Sequence, residues 1–215
     1  GDEGVRVMLA GAALARHRHE GFQFLLVGDE AKIKPALDNH PNLRLASEIL
    51  HTQDMVTGED TLSQAIRKSK SSSMGLAINA VKNGEASAAV SAGATGPLMA
   101  TAKLALRTMP GIDRPALAAL LPTLINSDVV MLDLGANTEC DARNLAQFAV
   151  MGAAYSRIMH GFDQPRVSLL NIGTEELKGT DTLRDAAQML RGADGLAMNF
   201  LGFVEADKIN RGETD

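Results

Sequence analysis

The chain has 215 residues, of which 45% are hydrophobic and 22% are charged, and its formal net charge is −5. These values fit one substantial hydrophobic core and exclude a disordered chain, and no apolar run is long enough to span a bilayer. The negative charge argues against a broad nucleic-acid surface. A single cysteine, Cys140, excludes an intrachain disulfide, and the scattered histidines form no metal-ligand cluster with it.

Short apolar runs alternate with helical patterns along the chain. Predicted strands lie at 22–27, 43–46, 88–91, 116–121, 129–134, 167–171 and 200–204, and predicted helices at 30–39, 74–82, 97–107, 142–159 and 182–191. This alternation is typical of an α/β fold with a mostly parallel sheet and helices on both faces. We therefore predict one α/β domain over 1–215, in which 50–70 forms a flap or a helical excursion.

Both ends of the sequence carry turn residues. The opening residues 1–4 lack the basic-then-apolar layout of a secretory signal, so we expect a cytoplasmic protein. The closing residues 210–215 form a pattern that normally introduces another strand, so we expect the domain to be truncated here.

Glycine and polar residues follow several predicted strands, where ligands bind in open α/β sheets. The run from Ser91 to Gly96 precedes a helix predicted near Pro97, whose free N–H groups would bind phosphate or another anion. A simple tight glycine turn is the alternative. The phosphate-binding candidates in this run are Ser91, Gly93, Thr95 and Gly96.

Two further loops carry candidate site residues. Asp133 and Asn137 surround a glycine turn after the strand at 129–134, where we favour a positioning role over proton transfer. Lys178 is the one cation of the loop that follows Asn171 and Gly173, and it lies beside two glutamates. Because Lys178 follows a strand end, we predict that it binds phosphate or the carbonyl of a substrate. A solvated Glu–Lys pair is also consistent with the pattern.

The densest basic run in this acidic chain is Arg67, Lys68 and Lys70. Such a run is either a solvated helix end or a docking patch for an acidic partner. No GxGxxG turn, GxSxG elbow or Walker A loop is present, so the sequence supports neither nucleotide binding nor covalent catalysis.

In order along the chain, these motifs resemble those of the bacterial phosphate acyltransferases. The matching segments are Gly1-Asp2, FLLVGD at 24–29, SQAIR at 63–67 with SSM at 72–74, SAG at 91–93, GIDRPA at 111–116, DLGAN at 133–137, and NIG at 171–173 with Lys178-Gly179. The chain departs from the family at Ala94 and Pro97, where the family usually has Asn and Ala. One amide donor of the presumed phosphate loop is therefore missing.

The resemblance implies a fold similar to phosphotransacetylases and the isocitrate dehydrogenase superfamily. It implies transfer of a fatty acyl group from acyl carrier protein to inorganic phosphate for phospholipid synthesis, with no metal, nucleotide or other cofactor. It also implies a cytoplasmic homodimer and peripheral membrane association through a region beyond Asp215, so we expect this 215-residue form to be poorly active. Alternatives are a phosphate acetyltransferase that uses acyl-coenzyme A, and a non-catalytic phosphate-binding or membrane-associated scaffold.

If that function holds, the roles of the candidate residues follow. Lys178, Asn137 and Asp133 are the catalytic candidates. Ser91, Gly93, Thr95, Gly96, Asn171 and Gly173 are the phosphate-binding candidates, and Arg67, Lys68 and Lys70 dock the carrier protein. Inorganic phosphate is already a competent nucleophile, so the protein mainly has to position it and stabilise the oxyanion that forms.

Overall fold

A computed structural model describes residues 4–125 and 127–215 of the chain. The Gly1-Asp2 motif of the resemblance lies outside these residues. The chain packs as two compact units, Gly1–Arg107 and Thr108–Asp215. The single α/β domain over 1–215 stays a prediction.

Unit 1 combines six helices with one parallel pair of strands among its described residues. In chain order its elements are α1 (Gly4–Arg18), β1 (Phe24–Gly28), α2 (Glu30–Leu37), α3 (Pro41–Arg44), β2 (Ser47–His51), α4 (Leu62–Lys68), α5 (Ser73–Lys82) and α6 (Thr95–Leu106). The register of β1 and β2 runs from Phe24 opposite Ser47 to Gly28 opposite His51. Leu9, Leu37 and Leu43 form a buried cluster against which β1 and β2 pack.

Side-chain caps explain where several helices of unit 1 begin. Thr61 and Gln64 form a reciprocal capping box at the start of α4. The Ser72 hydroxyl accepts a hydrogen bond from the Gly75 backbone N–H at 3.2 Å and caps α5. Each cap satisfies backbone donors that the first helical turn leaves without partners.

Unit 2 holds the remaining strands and two amphipathic helices. Its elements are β3 (Ala118–Pro122), β4 (Asp128–Leu132), α7 (Ala142–His160), β5 (Arg166–Leu170), α8 (Asp181–Arg191), β6 (Asn199–Val204) and a 3-10 helix (Ala206–Arg211). Strands β3 and β4 are antiparallel, and β5 and β6 are parallel with an irregularity at Val167 and Ser168.

The core of unit 2 lies between α7, α8 and the β5–β6 pair. Its buried members are Ala146, Ala149, Leu169, Ala186, Ala187, Leu190 and Phe203. Small alanines on both helices allow close packing, and the larger Leu169, Leu190 and Phe203 fill the space that remains. Helix α7 packs against both β4 and β5, so it supports the ends of the two strands that carry candidate site residues.

The predicted α/β class is confirmed, and the described residues contain three two-stranded sheets, two of them parallel. Five predicted strands and all five predicted helices coincide with observed elements within a few residues. The specific likeness to phosphotransacetylases remains an expectation. Among the described helices, none has the length and apolar character that a bilayer crossing requires.

Two predicted strands are wrong. Residues 43–46 end helix α3 and lead into β2, because Pro41 occupies the first helical turn and Leu43 is buried in the core cluster. Residues 88–91, which lie within the described part of the chain, pair with no strand, and Val90 is 82% exposed. Their small side chains bury too little apolar surface to favour a strand. Within 50–70 the structure has helix α4, and the expected flap or helical excursion stays a prediction.

Candidate functional site

The loop that follows β5 is organised by the buried side chain of Asn171. Its amide nitrogen donates to the Lys178 carbonyl at 3.1 Å, and its Oδ1 accepts from the Ile172 N–H at 2.9 Å. The Asn171 backbone N–H donates to the Val204 carbonyl at 2.9 Å, which ties the loop to the end of β6. Because Asn171 is only 7% exposed, these bonds are shielded from water and fix the two ends of the loop.

Two glycines allow this loop to close tightly. A Cβ at Gly179 would lie 2.2 Å from Asn171 Oδ1, and Gly179 has a φ of +85°. A Cβ at Gly173 would lie 2.4 Å from Lys178 Cδ and 2.7 Å from Glu175 Oε2. Gly179 therefore requires glycine because of its backbone conformation and the space it leaves for Asn171, whereas at Gly173 a side chain would make the ends of Lys178 and Glu175 move.

Lys178 lies at the carboxyl edge of β5, as the sequence predicts. Its Nζ contacts Glu175 Oε1 at 2.9 Å, and the two side chains are 51% and 61% exposed. The hydrogen bond from Lys178 lowers the pKa of the Glu175 carboxyl below its ordinary value. An accessible ammonium on a fixed loop is suited to binding an oxyanion.

Two arginines of α8, Arg184 and Arg191, form hydrogen bonds to residues of the loop. Arg191 forms two bonds to the Glu176 carboxylate, at 2.9 and 2.5 Å, and also lies over the Phe200 ring. Arg184 donates to the carbonyls of Leu177 and Gly179, at 3.4 and 3.0 Å. The backbone around Lys178 is thus held from both β6 and α8.

A second lysine, Lys208, lies on the 3-10 helix that follows β6. Since β5 and β6 are parallel, their carboxyl ends meet at the same edge, and Lys208 comes four residues after Val204. Its Nζ contacts Glu205 Oε2 at 2.7 Å, and its charge also lowers the pKa of Glu175, after the larger effect of Lys178. Lys208 is not among the site residues predicted from the sequence, although a lysine shortly after a predicted strand is a usable signal.

Asp133 ties together the loops at the ends of β3 and β4. Its carboxylate accepts hydrogen bonds from the N–H groups of Leu117, Ala136 and Asn137, at 2.7, 3.3 and 2.9 Å, and from the Asn137 side chain at 3.1 Å. Burial raises the pKa of this carboxyl, but the four hydrogen bonds together lower it more, and the net shift is downward. The Asn137 amide also donates to the Pro115 carbonyl at 2.9 Å.

The same cluster argues against a thiol nucleophile at Cys140. Burial raises the pKa of the Cys140 thiol, and the negative charge of Asp133 raises it further. The thiol therefore stays protonated near neutral pH, and the thiol is a poor nucleophile compared with the thiolate.

In unit 1, the Ser91 hydroxyl accepts a hydrogen bond from the Gly93 N–H at 3.1 Å. Helix α6 begins at Thr95, two residues before the predicted start, and Ala94 at its N-cap supplies no side-chain bond. Thr95 and Gly96 are exposed at this first turn. A Cβ at Gly93 would lie 2.6 Å from Met74 Cε, so this glycine serves packing against α5.

The basic run divides into two kinds of residue. Lys68 Nζ binds both oxygens of the Asp60 carboxylate, at 2.8 and 3.0 Å, and the Asp60 side chain is only 10% exposed. Arg67 contacts Ser63 one turn earlier on α4, and both Arg67 and Lys70 are exposed. Lys68 therefore holds local structure, whereas Arg67 and Lys70 present charge at the surface.

Comparison with known proteins decides the family. The model of the fatty acid synthesis protein family matches residues 1–215. The chain belongs to this family. It is similar to proteins named phosphate acyltransferase from Erythrobacter litoralis (71% identical), Parvibaculum lavamentivorans (54%) and Rhodospirillum centenum (52%). Each match covers 100% of this chain but 61%, 59% and 60% of those relatives, so the chain spans about 60% of their length.

Within this family member, the predicted site residues form separate groups. Asn171, Gly173 and Lys178 share one loop, and Asp133 and Asn137 share another in the same unit. The phosphate-loop candidates from Ser91 to Gly96 belong to unit 1. Two clefts of about 380 and 500 Å³ in unit 1 are lined by residues of other segments, including Arg16 and His40 in the first. None of the predicted site residues lines either of these two clefts.

Proposed function

We propose that the protein transfers a fatty acyl group from acyl carrier protein to inorganic phosphate and releases an acyl phosphate. The observation that carries this proposal is Lys178, whose ammonium is accessible on a loop fixed at the carboxyl edge of β5. Membership of the fatty acid synthesis protein family supports it, as do the relatives named phosphate acyltransferase.

In the proposed reaction, a phosphate oxygen attacks the thioester carbonyl carbon. A new carbon–oxygen bond forms, the carbon–sulfur bond breaks, and the hydroxyl proton of hydrogen phosphate passes to the departing thiolate. The products are an acyl phosphate and the free thiol of the carrier. Lys178 binds the phosphate or the oxyanion that develops on the carbonyl, and this charge contact strengthens in the transition state.

We assign Asp133 and Asn137 to holding the loop after β4 in position rather than to proton transfer. The low pKa of the Asp133 carboxyl keeps it ionised near neutral pH, so it has no proton to donate, and its oxygens already accept four hydrogen bonds. In unit 1, the start of α6 with Ser91, Gly93, Thr95 and Gly96 stays a separate phosphate-binding candidate of this proposal.

Apolar side chains around Lys178 suit an acyl substrate. Ile172 is 79% exposed and Leu177 is 90% exposed, and both belong to the loop that carries the cation. Exposed apolar residues mark a ligand or partner surface when they form a continuous patch, and we propose that these two residues belong to one. We assign them to contact with the first carbons of the acyl chain.

The proposed carrier docks by its negative charge. Acyl carrier protein is acidic, and Arg67 and Lys70 present exposed positive charge on and just after α4. Lys68 contributes by holding this segment through Asp60. A cytoplasmic homodimer with peripheral membrane association completes the proposal, and these properties rest on the family resemblance alone.

The test uses the full-length protein with acyl-acyl carrier protein and phosphate, and it traps acyl phosphate with hydroxylamine as the hydroxamate. We expect hydroxamate to form only when both substrates are present. A parallel reaction replaces the carrier thioester with acyl-coenzyme A, and preference for that donor would favour a phosphate acetyltransferase. Phosphate binding without any hydroxamate from either donor would favour a non-catalytic scaffold.

A further inference from the structure

The Glu175 carboxylate occupies the position on Lys178 that a bound oxyanion would take. Glu175 Oε1 lies 2.9 Å from Lys178 Nζ, which is the distance of a charge-assisted hydrogen bond. Both side chains fold over Gly173: a Cβ there would lie 2.7 Å from Glu175 Oε2 and 3.2 Å from Lys178 Nζ. The absence of a side chain at Gly173 thus leaves room for the carboxylate and the ammonium to meet over the turn.

This contact is easily exchanged. The side chains of Glu175 and Lys178 are 61% and 51% exposed, and exposed ion pairs contribute little net stability. In contrast, the adjacent Glu176 is held by two bonds from Arg191. Of these two neighbouring carboxylates, Glu175 is therefore the one that a competing anion displaces at small cost.

A second cation is available to receive Glu175. Lys208 lies at the same edge of the β5–β6 pair, and after Lys178 it also acts electrostatically on Glu175. Lys208 already contacts Glu205 at 2.7 Å, and one ammonium can donate three hydrogen bonds. A displaced Glu175 carboxylate therefore has a second positive charge at the same edge of the sheet.

We propose that Glu175 is a built-in placeholder for phosphate: it covers Lys178 when the site is empty and moves toward Lys208 when phosphate binds. The inference rests on the proposed function, because it assumes that Lys178 receives the phosphate. It assigns Glu175 a role as a positioning residue that sets phosphate affinity and prevents weaker anions from occupying Lys178.

The test measures binding of inorganic phosphate to the full-length protein by calorimetry. Glu175→Gln removes the competing charge, so we expect phosphate to bind about two- to fivefold more tightly. Glu175→Ala is expected to give a similar gain. Asp185→Asn, on the exposed side of α8, is the charge-matched control and should leave the affinity unchanged. Lys178→Ala should weaken binding by at least about tenfold.

The outcomes separate the two claims. If Lys178→Ala weakens phosphate binding but neither Glu175 variant strengthens it, the placeholder inference is wrong and the proposed role of Lys178 stands. If Lys178→Ala leaves phosphate binding unchanged, the proposed phosphate site itself is wrong. Equal gains in the Glu175 variants and in Asp185→Asn would show a general charge effect and would overturn the placeholder.

Discussion

The Asn171 side-chain amide donates a hydrogen bond at 3.1 Å to the backbone carbonyl of Lys178, which lies seven positions later in the chain. Asn171 is 7% exposed, whereas the Lys178 side chain is 51% exposed. A buried amide thus fixes the backbone from which an exposed ammonium extends. This arrangement positions the cation without immobilising the whole side chain.

The first prediction concerns that hydrogen bond. Asn171→Asp replaces the amide donor with an oxygen, so the Lys178 carbonyl loses its partner and faces negative charge. We expect the free energy of unfolding to fall by about 1–3 kcal/mol and the KM for phosphate to rise. Urea unfolding and acyl-phosphate kinetics measure the two effects. Asn42→Asp, at an exposed position, is the control, and equal behaviour of the two variants would contradict the assigned role.

The second prediction compares two glycines with similar backbone conformation. Gly179 has φ +85° and would place a Cβ 2.2 Å from Asn171 Oδ1, whereas Gly195 has φ +78° and open space around it. Both Gly→Ala variants strain the backbone by about 1–3 kcal/mol, but only Gly179→Ala also displaces Asn171. We expect Gly179→Ala to have the lower thermal midpoint and reduced activity, and Gly195→Ala to retain activity.

The third prediction concerns stability at acid pH. The pKa of Asp133 is lowered in the folded state, so its carboxylate stabilises the fold above the unfolded-state pKa, and this stabilisation is lost as the pH falls through the folded-state pKa. Asp133→Asn should destabilise the protein at pH 7 by about 1–3 kcal/mol and flatten the loss of stability below about pH 4.

Urea unfolding between pH 3 and pH 7 measures this dependence. The exposed Asp163→Asn is the charge-matched control and should keep the wild-type slope. An Asp133→Asn variant whose stability falls with acid as steeply as the wild type would disprove the assigned hydrogen-bonding role.

The fourth prediction distinguishes the residues of the basic run that dock the carrier protein, Arg67 and Lys70, from Lys68, which stabilises the local structure. Reversing Arg67 and Lys70 to glutamate should raise the apparent KM for acyl carrier protein, most strongly at low salt, because electrostatic steering is screened by salt. Lys68→Gln should instead lower the thermal midpoint, since it removes the partner of the partly buried Asp60. A KM that changes neither with the charge at these two positions nor with salt would show that Arg67 and Lys70 are only solvated residues of a helix end.

Much of unit 2 could be predicted from the sequence because its apolar periodicities are clear. The helix at 142–159 and the strand at 167–171 agree closely with α7 and β5, and the position of Lys178 after a strand followed from that pattern. The strand predicted at 43–46 is wrong because the apolar residues there belong partly to the end of helix α3 and partly to the turn before strand β2. Leu43 packs from a short helix started by Pro41, and the strand begins only at Ser47.

The partners of the site residues were less predictable than the residues themselves. Helix α1 was missed because the opening residues were interpreted as a turn. The link from Asn171 to Lys178 spans a loop whose closure depends on Gly179, and neither periodicity nor spacing encodes that geometry. The placement of Lys208 at the same sheet edge as the Lys178 loop depends on the pairing of β6 with β5, which is a tertiary relationship.

The most direct measurement of the central claim is acyl-phosphate formation by Lys178→Ala in the full-length protein at saturating phosphate, together with a thermal melt. Loss of a charge contact made mainly in the transition state costs on the order of 3 kcal/mol, or about a hundredfold in turnover. We expect that loss with an unchanged melt, and poor rescue by Lys178→Arg, whose planar guanidinium does not replace a point charge in a tight loop. Near-normal turnover of Lys178→Ala would contradict the account and shift phosphate binding to the backbone donors between Gly93 and Gly96.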